Sequence, residues 1–310
     1  MVELSVLAPT SSPQRWITIA AECWREARPV VQVVFQLRFM AGVVLSGGLA
    51  TGTGLAAVGS IIAGALVWLC ATASVYLLNG AADVVEDRAN GSRRPVAAGR
   101  LTPANACQAA AVLGIAALVG AAAQSVLLLL LTAALLVLGV AYSQPPLALK
   151  RWTGGVAVVA VLGGLLTYAA GAVAGGRPTI VTITFAGLLS VWMAVVGALT
   201  KDLPDVFGDM VAGRRTIAVV WGARTATRLA ATAAAGIGVT ALLLSHLLVP
   251  QLLIQGWLLA VGGVVVARYA LLVDTTRPSA LSRPYRAFMA TQYVVHLSLL
   301  FSPVLISPWL

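Results

Sequence analysis

Long apolar runs alternate with short polar breaks along the whole chain. Nine of these runs have about the 20 residues that a helix needs to cross the hydrocarbon core of a bilayer. They lie at approximately 30–50, 55–78, 104–123, 125–142, 154–174, 179–199, 229–249, 251–272 and 287–306. Turn-forming residues, including Pro145-Pro146 and Pro250, separate several of them. The pattern predicts an all-α polytopic membrane protein with nine transmembrane helices.

The composition indicates the same class of protein. Hydrophobic residues make up 60% of the 310 residues and charged residues only 10%, whereas a soluble surface needs about 25% charged residues. A soluble fold is therefore excluded. The three cysteines, Cys23, Cys70 and Cys107, show no metal-ligand spacing, so neither a disulfide framework nor a zinc site is indicated. Residues 1–27 are predicted to form a cytoplasmic tail or an interfacial helix, which leaves 28–310 as a single domain.

The basic residues predict the orientation of the chain in the membrane. Seventeen of the twenty fall before the first span or in the breaks after the second, fourth, sixth and eighth spans. Only Arg177 lies on the other side, and Arg38 and Arg268 lie inside spans. By the positive-inside rule, the N-terminus and these loops are cytoplasmic, in an integral protein of a bacterial cell membrane. The same bias explains the net charge of +10, so no nucleic-acid partner is expected.

All ten acids lie on the same predicted side, and six of them fall in two short windows, after the second and the sixth spans. In the first window, Asn79, Asp83 and Asp87 are four residues apart, which places them on one face of a helix. Ionisable groups at membrane depth are costly, and they face a bundle interior or a watery cavity. This window is therefore a candidate functional site.

The second window repeats the spacing. Asp205 and Asp209 are four residues apart, and Asp202 lies one turn earlier. Basic residues follow each window or lie nearby: Arg93, Arg94, Lys150, Arg151, Lys201, Arg214 and Arg215. Carboxylates beside basic groups suit a magnesium-bound diphosphate, because Mg²⁺ takes a few carboxylates together with phosphate oxygens. The implied ligand is a diphosphate with a lipidic tail. Solvated loops with helix-end ion pairs are the alternative for any one of these charges.

Three segments resemble the UbiA superfamily of intramembrane prenyltransferases. The first window reads NGAADVVEDRANGSRRPVAAG (79–99) and resembles the family's Asn-x-x-x-Asp-x-x-x-Asp motif. The second reads KDLPDVFGDMVAGRRTIAVVWG (201–222) and resembles its Asp-x-x-x-Asp motif. The segment after the fourth span, YSQPPLALKR (142–151), looks like the family's tyrosine-to-lysine loop. Two positions depart from the common pattern: Gly80 and Phe207 stand where many members have acids.

The resemblance implies a nine-helix bundle around a central cavity that is open laterally to membrane lipid. It implies Mg²⁺-dependent transfer of a prenyl group from a polyprenyl diphosphate donor to a small aromatic or quinone-precursor acceptor. The metal ligands carried over are Asn79, Asp83, Asp87, Asp202, Asp205 and Asp209. The residues expected to bind the diphosphate are Asn79, Arg94, Lys150, Lys201 and Arg215. The catalytic group comprises Asp83, Asp87, Asp205 and Asp209 with Tyr142.

Other residues have two interpretations at this point. Tyr142 either assists departure of the diphosphate or accepts a proton, or it is an interfacial belt tyrosine. Four aromatic residues either stabilise an allylic cation by cation–π contact or only pack: Trp68, Tyr76, Tyr168 and Trp192. Three polar residues of the first span are candidates for acceptor recognition, although helix periodicity does not place all three on one face: Gln32, Gln36 and Arg38. His246 and His296 are expected to pack.

Two other functions share the same features. A terpene cyclase would ionise the same polyprenyl diphosphate and close the chain on itself, without a second substrate. A transporter would use the acids as a cation pathway, but such proteins tend to place their sites at the bilayer midplane, whereas these acids cluster at one interface. With aromatic residues at 6% of the chain, the sequence favours transfer over cyclisation.

Overall fold

The computed structural model describes residues 13–47 and 54–300, and these residues form a bundle of α-helices. In chain order the helices are α1 (Pro13–Glu26), α2 (Pro29–Leu45), α3 (Leu55–Ala82), α4 (Val84–Ala89), α5 (Pro103–Ala122), α6 (Val126–Ser143), α7 (Thr153–Gly175), α8 (Ile180–Lys201), α9 (Val206–Val211), α10 (Ile217–Val220), α11 (Ala223–Leu247), α12 (Leu253–Leu272) and α13 (Arg283–Leu300). A π-helical turn, Trp192–Gly197, lies within α8. Within the described ranges no β-strand forms, and one isolated bridge joins Trp152 to Arg215.

The long helices occupy the predicted spans. Seven described helices are long and apolar enough to cross a membrane: α3, α5, α6, α7, α8, α11 and α12. The predicted first span is α2, which together with α1 forms a pair bent by 64° that counts as an eighth. The predicted last span is α13. The all-α polytopic prediction is confirmed, with nine as an approximate count, and residues 1–12, 48–50 and 301–306 of the predicted segments lie outside the described residues.

The outer surface of the bundle is apolar, as a bilayer requires. Leu127, Leu130 and Val137 on α6 and Leu243 on α11 are all more than half exposed. Water would disfavour so much exposed apolar surface, whereas lipid does not. The two largest clusters of buried hydrophobic side chains lie in the interior of the bundle. One surrounds Trp192 and involves α2, α7, α8 and α11 to α13, and the other surrounds Trp68 and involves α2, α3, α5, α6 and α7.

Candidate active site

The two acid windows begin with the same local structure. Helix α3 ends at Ala82, and Asp83 leaves the helical conformation with φ −97° and ψ 11° before α4 begins. Asp205 takes almost the same conformation, φ −97° and ψ 4°, before α9 begins. The first helical hydrogen bond after each break runs from the Asp87 N–H to the Asp83 carbonyl, at 2.8 Å, and from the Asp209 N–H to the Asp205 carbonyl, at 2.9 Å. The i, i+4 spacing predicted from the sequence is therefore kept in both windows.

The two windows also end alike. Gly91 follows α4 with φ 64° and Gly213 follows α9 with φ 68°, the left-handed conformation with which glycine commonly terminates a helix. After Gly213 the chain turns back sharply, and the Arg214 N–H donates to the Asp209 carbonyl at 2.8 Å. The turn places the following basic side chain against the acids of its own window.

A side-chain contact joins α4 to α9. The Asn90 Oδ1 atom accepts a hydrogen bond from the Gly208 N–H at 2.8 Å. A Cβ atom at Gly208 would lie 2.2 Å from Asn90 Nδ2, so only glycine allows this approach. Residues that are more than a hundred positions apart in the chain thereby form one site.

Arg214 lies between the two windows. Its Nη2 atom is 3.5 Å from Asp83 Oδ1 and also pairs with Glu86, and its Nη1 atom is 3.4 Å from Asp209 Oδ1. Burial alone would lower the pKa of Arg214, but the facing carboxylates, Asp83 and Glu86 first, raise it above its usual value. The guanidinium is therefore charged, and it holds the two acid faces together.

Lys150 enters from the loop after α6. It is 5% exposed, and its ammonium pairs with Asp83 and lies 3.6 Å from Glu86 Oε1. Burial, and then the neighbouring Asp83, raise the pKa of Glu86. Burial, and then Asp202, raise the pKa of Asp209 to about 7. The basic groups present do not fully offset the burial and mutual repulsion of these carboxylates. Binding of an additional cation would therefore be favourable.

The donor set fits Mg²⁺. Asp209 Oδ2 is buried without a hydrogen-bond partner, and Asn79 donates through its amide nitrogen to Ser143 Oγ at 3.5 Å, which leaves its carbonyl oxygen available. In the described part of the chain, no three acids lie close enough to hold a metal ion by themselves. This arrangement suits Mg²⁺, because it usually takes one or two carboxylates and completes its shell with phosphate oxygens and water.

The other predicted diphosphate ligands have different surroundings. Lys201 pairs with Asp202 at 3.0 Å, and Arg94 pairs with Asp87 at 3.0 Å. The Arg215 side chain is exposed, and its backbone N–H donates to the Arg151 carbonyl at 2.6 Å. Neighbouring side chains in an extended segment point in opposite directions, so only one of the two consecutive arginines faces the acids. The structure places Arg214, and not the predicted Arg215, in the site.

A cavity of about 190 Å³ lies among α2, α3, α6, α7, α8 and α13. Asn79, Tyr142 and Lys201 line it at the end nearest the acids. Its walls are mainly valine, leucine, alanine and glycine, and Phe35, Tyr76 and Tyr285 join Tyr142 as the four aromatic residues that line it. Arg38 and Gln292 also line it. The space is apolar, with charged and polar groups at the acid end and at Arg38.

The aromatic residues of the spans divide between the cavity and the packed core. Of the four predicted to face a cation, Tyr76 lines the cavity, whereas Trp68, Tyr168 and Trp192 are fully buried and do not. Trp68 donates to Thr167 Oγ1 at 3.2 Å. The Tyr168 hydroxyl lies 2.7 Å from His296 Nε2, in agreement with a packing role for that histidine. Phe35 and Tyr285 were not among the predicted residues.

The polar residues of the first span also separate. Gln32 is 1% exposed. Its side chain donates a hydrogen bond to the Ala27 carbonyl at 2.7 Å and accepts one from the Thr72 hydroxyl at 2.6 Å. Only Arg38 of the three lines the cavity. When the Gln292 carboxamide is oriented with its oxygen toward the guanidinium, that oxygen lies 2.6 Å from Arg38 Nη2 and 3.2 Å from Nε. Of the three polar residues of α2 predicted to recognise an acceptor, Arg38 is the one that faces the cavity.

Three residues near the acids were absent from the sequence-based list. Arg214 is the first, because the sequence-based list contained its neighbour Arg215 as a diphosphate ligand. Glu86 lies three residues after Asp83, so the helical spacing contained a signal for it. Glu26 lies 2.6 Å from Arg94 Nη2, and it comes from a helix that no motif connects to the windows.

The model of the UbiA prenyltransferase family matches residues 40–292. No individually curated protein sequence matches the chain.

Solved structures of low sequence identity share the fold. A UbiA homolog from Archaeoglobus fulgidus bound to DMAPP and Mg²⁺ is 19% identical with a TM-score of 0.65, and the match covers 89% of this chain and 99% of that one. A digeranylgeranylglyceryl phosphate synthase is 16% identical with a TM-score of 0.64 and covers 93% and 99%. The apo structure of a UbiA homolog from Aeropyrum pernix K1 is 17% identical with a TM-score of 0.62 and covers 88% and 98%.

Proposed function

The chain belongs to the UbiA prenyltransferase family, and we propose that it is an intramembrane, Mg²⁺-dependent prenyltransferase. It moves a prenyl group from a polyprenyl diphosphate to a small aromatic or quinone-precursor acceptor. The observation that carries this proposal is the position of two joined acid windows, with Arg214 and Lys150 among them, at one end of an apolar cavity. A similar fold holds a prenyl diphosphate and Mg²⁺ in the Archaeoglobus fulgidus homolog.

The donor binds with its diphosphate at the acid windows and its hydrocarbon tail in the cavity. Metal ligands come from both windows: Asn79, Asp83, Asp87, Asp202, Asp205 and Asp209. Mg²⁺ bound there supplies positive charge that offsets the negative charge on the diphosphate. Lys201, at the cavity end of α8, and Arg214 add fixed positive charge. Apolar walls exclude water and thereby strengthen these electrostatic interactions.

The reaction breaks the bond between C1 of the prenyl group and the bridging oxygen, and the electron pair leaves with the diphosphate. A bond then forms between C1 and a carbon of the acceptor ring, and the ring loses a proton. Tyr142 lines the cavity at this end together with Lys201, so we assign it the hydrogen bond to the departing diphosphate. Tyr76 and Tyr285 supply aromatic faces for the cationic carbon.

Arg38 favours transfer over cyclisation. It is 3% exposed, lines the cavity, and has no carboxylate within ion-pair distance among the described residues. In transfer, positive charge stays at C1 beside the diphosphate. In cyclisation it moves along the chain and into the cavity, where a guanidinium about 6 Å away would oppose it by about 3 kcal/mol at an effective dielectric constant of 20. A second substrate with polar groups would instead be stabilised by Arg38.

The sequence also supports a location for the protein. We propose that it is integral to a bacterial cell membrane, with the N-terminus and the acid windows on the cytoplasmic side, because the basic residues are so unevenly distributed. Residues 28–310 then form one domain. Helix α1 lies along the membrane interface, since Trp16, Ile17 and Trp24 are exposed on it.

The decisive experiment is product analysis with purified protein in detergent or nanodiscs. Prenyl diphosphates of increasing length are supplied with Mg²⁺, with and without a panel of aromatic acceptors. Consumption that requires an acceptor, with the prenyl group found on the ring, supports the proposal. A cyclic hydrocarbon or alcohol formed without an acceptor would replace it by the cyclase.

Metal dependence is tested in the same assay. EDTA should abolish turnover and excess Mg²⁺ should restore it. Asp83→Asn should lose at least a hundredfold in turnover, as removal of a preorganised electrostatic group commonly does, and should still fold. Asp274→Asn is the matched control, because Asp274 pairs with Arg277 in an exposed loop.

A further inference from the structure

A carboxylate from outside both acid windows fills the space beside Gly80. Glu26 is the last residue of α1, and it is 0% exposed. A Cβ atom at Gly80 would lie 2.0 Å from Glu26 Oε1 and 2.5 Å from Arg94 Nη2. The absence of a side chain at residue 80 is what allows these two charged groups to meet there.

Glu26 is connected to the first window through Arg94. Its Oε1 atom lies 2.6 Å from Arg94 Nη2, and its Oε2 atom accepts a hydrogen bond from the Val96 N–H at 2.8 Å. On the other side of the guanidinium, Arg94 Nη1 donates to Asp87 Oδ2 at 3.0 Å. Arg94 therefore lies between two carboxylates, and Glu26 meets it through an ion pair at Oε1 and is hydrogen-bonded only at Oε2.

The balance of charge along this chain of contacts affects Asp87. Glu26 and Asp87 each carry one negative charge and share the single positive charge of Arg94, so the three groups sum to one negative charge. Without the Glu26 charge, Arg94 would be balanced by Asp87 alone, and the sum would be zero. A divalent cation approaching Asp87 would then meet a guanidinium that nothing else neutralises.

We propose that Glu26 is a positioning residue for the metal site. It neutralises the charge of Arg94 and so leaves the negative charge of Asp87 available to a divalent cation. This inference rests on the proposed function, in which Asp87 is a ligand of Mg²⁺. Glu26 itself does not touch the substrate. It acts from a helix that precedes the first membrane span.

The test measures cation binding directly and varies the charge sum. Mn²⁺ serves as a paramagnetic probe, and its free concentration is read from the EPR signal with the full-length protein in detergent. Glu26→Gln changes the sum to zero, whereas Glu26→Gln with Arg94→Gln restores one negative charge and removes both buried charges together. Glu26→Asp keeps the charge. Glu22→Gln is the matched control, because Glu22 is buried on the same helix and pairs with Arg25 and Arg100.

We expect Glu26→Gln to weaken Mn²⁺ binding by about tenfold, the scale of one unit charge near a divalent ion at a partly screened distance. The double variant and Glu26→Asp should bind within about threefold of wild type, and Glu22→Gln should be unchanged. The Mg²⁺ concentration for half-maximal turnover should rise for Glu26→Gln and stay near the wild-type value for Glu26→Asp and Glu22→Gln; the double variant is compared by Mn²⁺ binding alone, because Arg94 is itself an expected diphosphate ligand. If Glu26 had a purely structural role, the double variant would bind Mn²⁺ at least as weakly as Glu26→Gln does.

The outcomes separate this inference from the proposed function. Wild-type protein that binds Mn²⁺ and transfers prenyl groups, with Glu26→Gln unchanged in binding, overturns the role of Glu26 alone. Wild-type protein that neither binds Mn²⁺ nor transfers overturns both. If Glu26→Gln does not fold, a double variant that folds but binds about tenfold more weakly than wild type also overturns the proposal.

Discussion

Replacing Gly208 by alanine is predicted to push the two acid windows apart. The added Cβ atom would lie 2.2 Å from Asn90 Nδ2, 2.3 Å from Cγ and 2.4 Å from Oδ1. These distances are more than 1 Å short of ordinary van der Waals contact, about 3.5 Å or more, so the amide must move. Its 2.8 Å hydrogen bond to the Gly208 N–H is then lost.

The expected cost follows from three contributions. Losing the hydrogen bond costs about 1 kcal/mol, and overpacking costs about 1–3 kcal/mol. Alanine in place of glycine within a helix returns about 0.5–1 kcal/mol. We therefore expect Gly208→Ala to lower the free energy of unfolding by about 2 kcal/mol, the sum of these ranges, and to lower turnover further because the windows separate.

A double variant distinguishes this mechanism from general damage. Asn90→Ala alone should cost about 1 kcal/mol, because only the hydrogen bond is lost. With Asn90 already truncated, alanine at 208 has no amide to displace, so the double variant should be more stable than Gly208→Ala alone. The two changes are thus strongly non-additive, as expected for residues in contact.

The measurement is thermal unfolding of detergent-purified protein, followed by tryptophan fluorescence, with turnover measured in parallel. Each 1 kcal/mol corresponds to about 2–4 °C for a domain somewhat smaller than this one. Gly236→Ala is the control, because no atom lies within 4 Å of a Cβ at that position. The reasoning is refuted if Gly208→Ala matches wild type in both measurements, or if the double variant loses at least as much stability as the two single variants combined.

Three further predictions concern single arginines. Arg214→Met should lower turnover by at least a hundredfold, whereas Arg215→Met should change it less than threefold; equal effects on turnover would contradict the placement of Arg214 in the site. In a cysteine-free background, a membrane-impermeant thiol reagent applied to intact cells should label Arg177→Cys and miss Arg93→Cys, since both positions are exposed but lie on opposite predicted sides; labelling at 93 would reverse the topology. Arg38→Gln should raise the KM for the acceptor about tenfold, as loss of a charged contact of about 1.4 kcal/mol does, and leave the KM for the donor unchanged; a change in the donor KM alone would move Arg38 out of the acceptor site.

The sequence was sufficient to predict features that depend on local periodicity. The apolar runs are long enough to specify the helices directly, because a bilayer forces each span to satisfy its own backbone hydrogen bonds. The spacing of Asp83 from Asp87, and of Asp205 from Asp209, likewise predicted shared faces. That spacing survives although the helix breaks at Asp83 and at Asp205, because the carbonyls of these two residues accept the first hydrogen bonds of the following helices, from Asp87 and Asp209.

Features that depend on tertiary contacts were beyond the sequence. Glu26 reaches the first window only because the chain turns at Arg28, which has φ 58°, and bends α1 by 64° from α2. The choice between Arg214 and Arg215 depends on a backbone hydrogen bond from Arg215 to Arg151. Neither contact has a periodic signature, since the partners come from distant parts of the chain.

The charge pattern of the whole site supports a reaction with two substrates. At the acid windows, basic side chains lie between carboxylates but do not fully offset their negative charge. This arrangement can bind a cation together with its diphosphate. Arg38 is buried on α2, and no carboxylate among the described residues pairs with it. Burying the Arg38 guanidinium is costly, and the neutral Gln292 oxygen offsets only part of that cost. The remaining cost would be offset by a second, polar molecule in the cavity beside the prenyl chain, and on this ground we propose transfer to an acceptor over cyclisation.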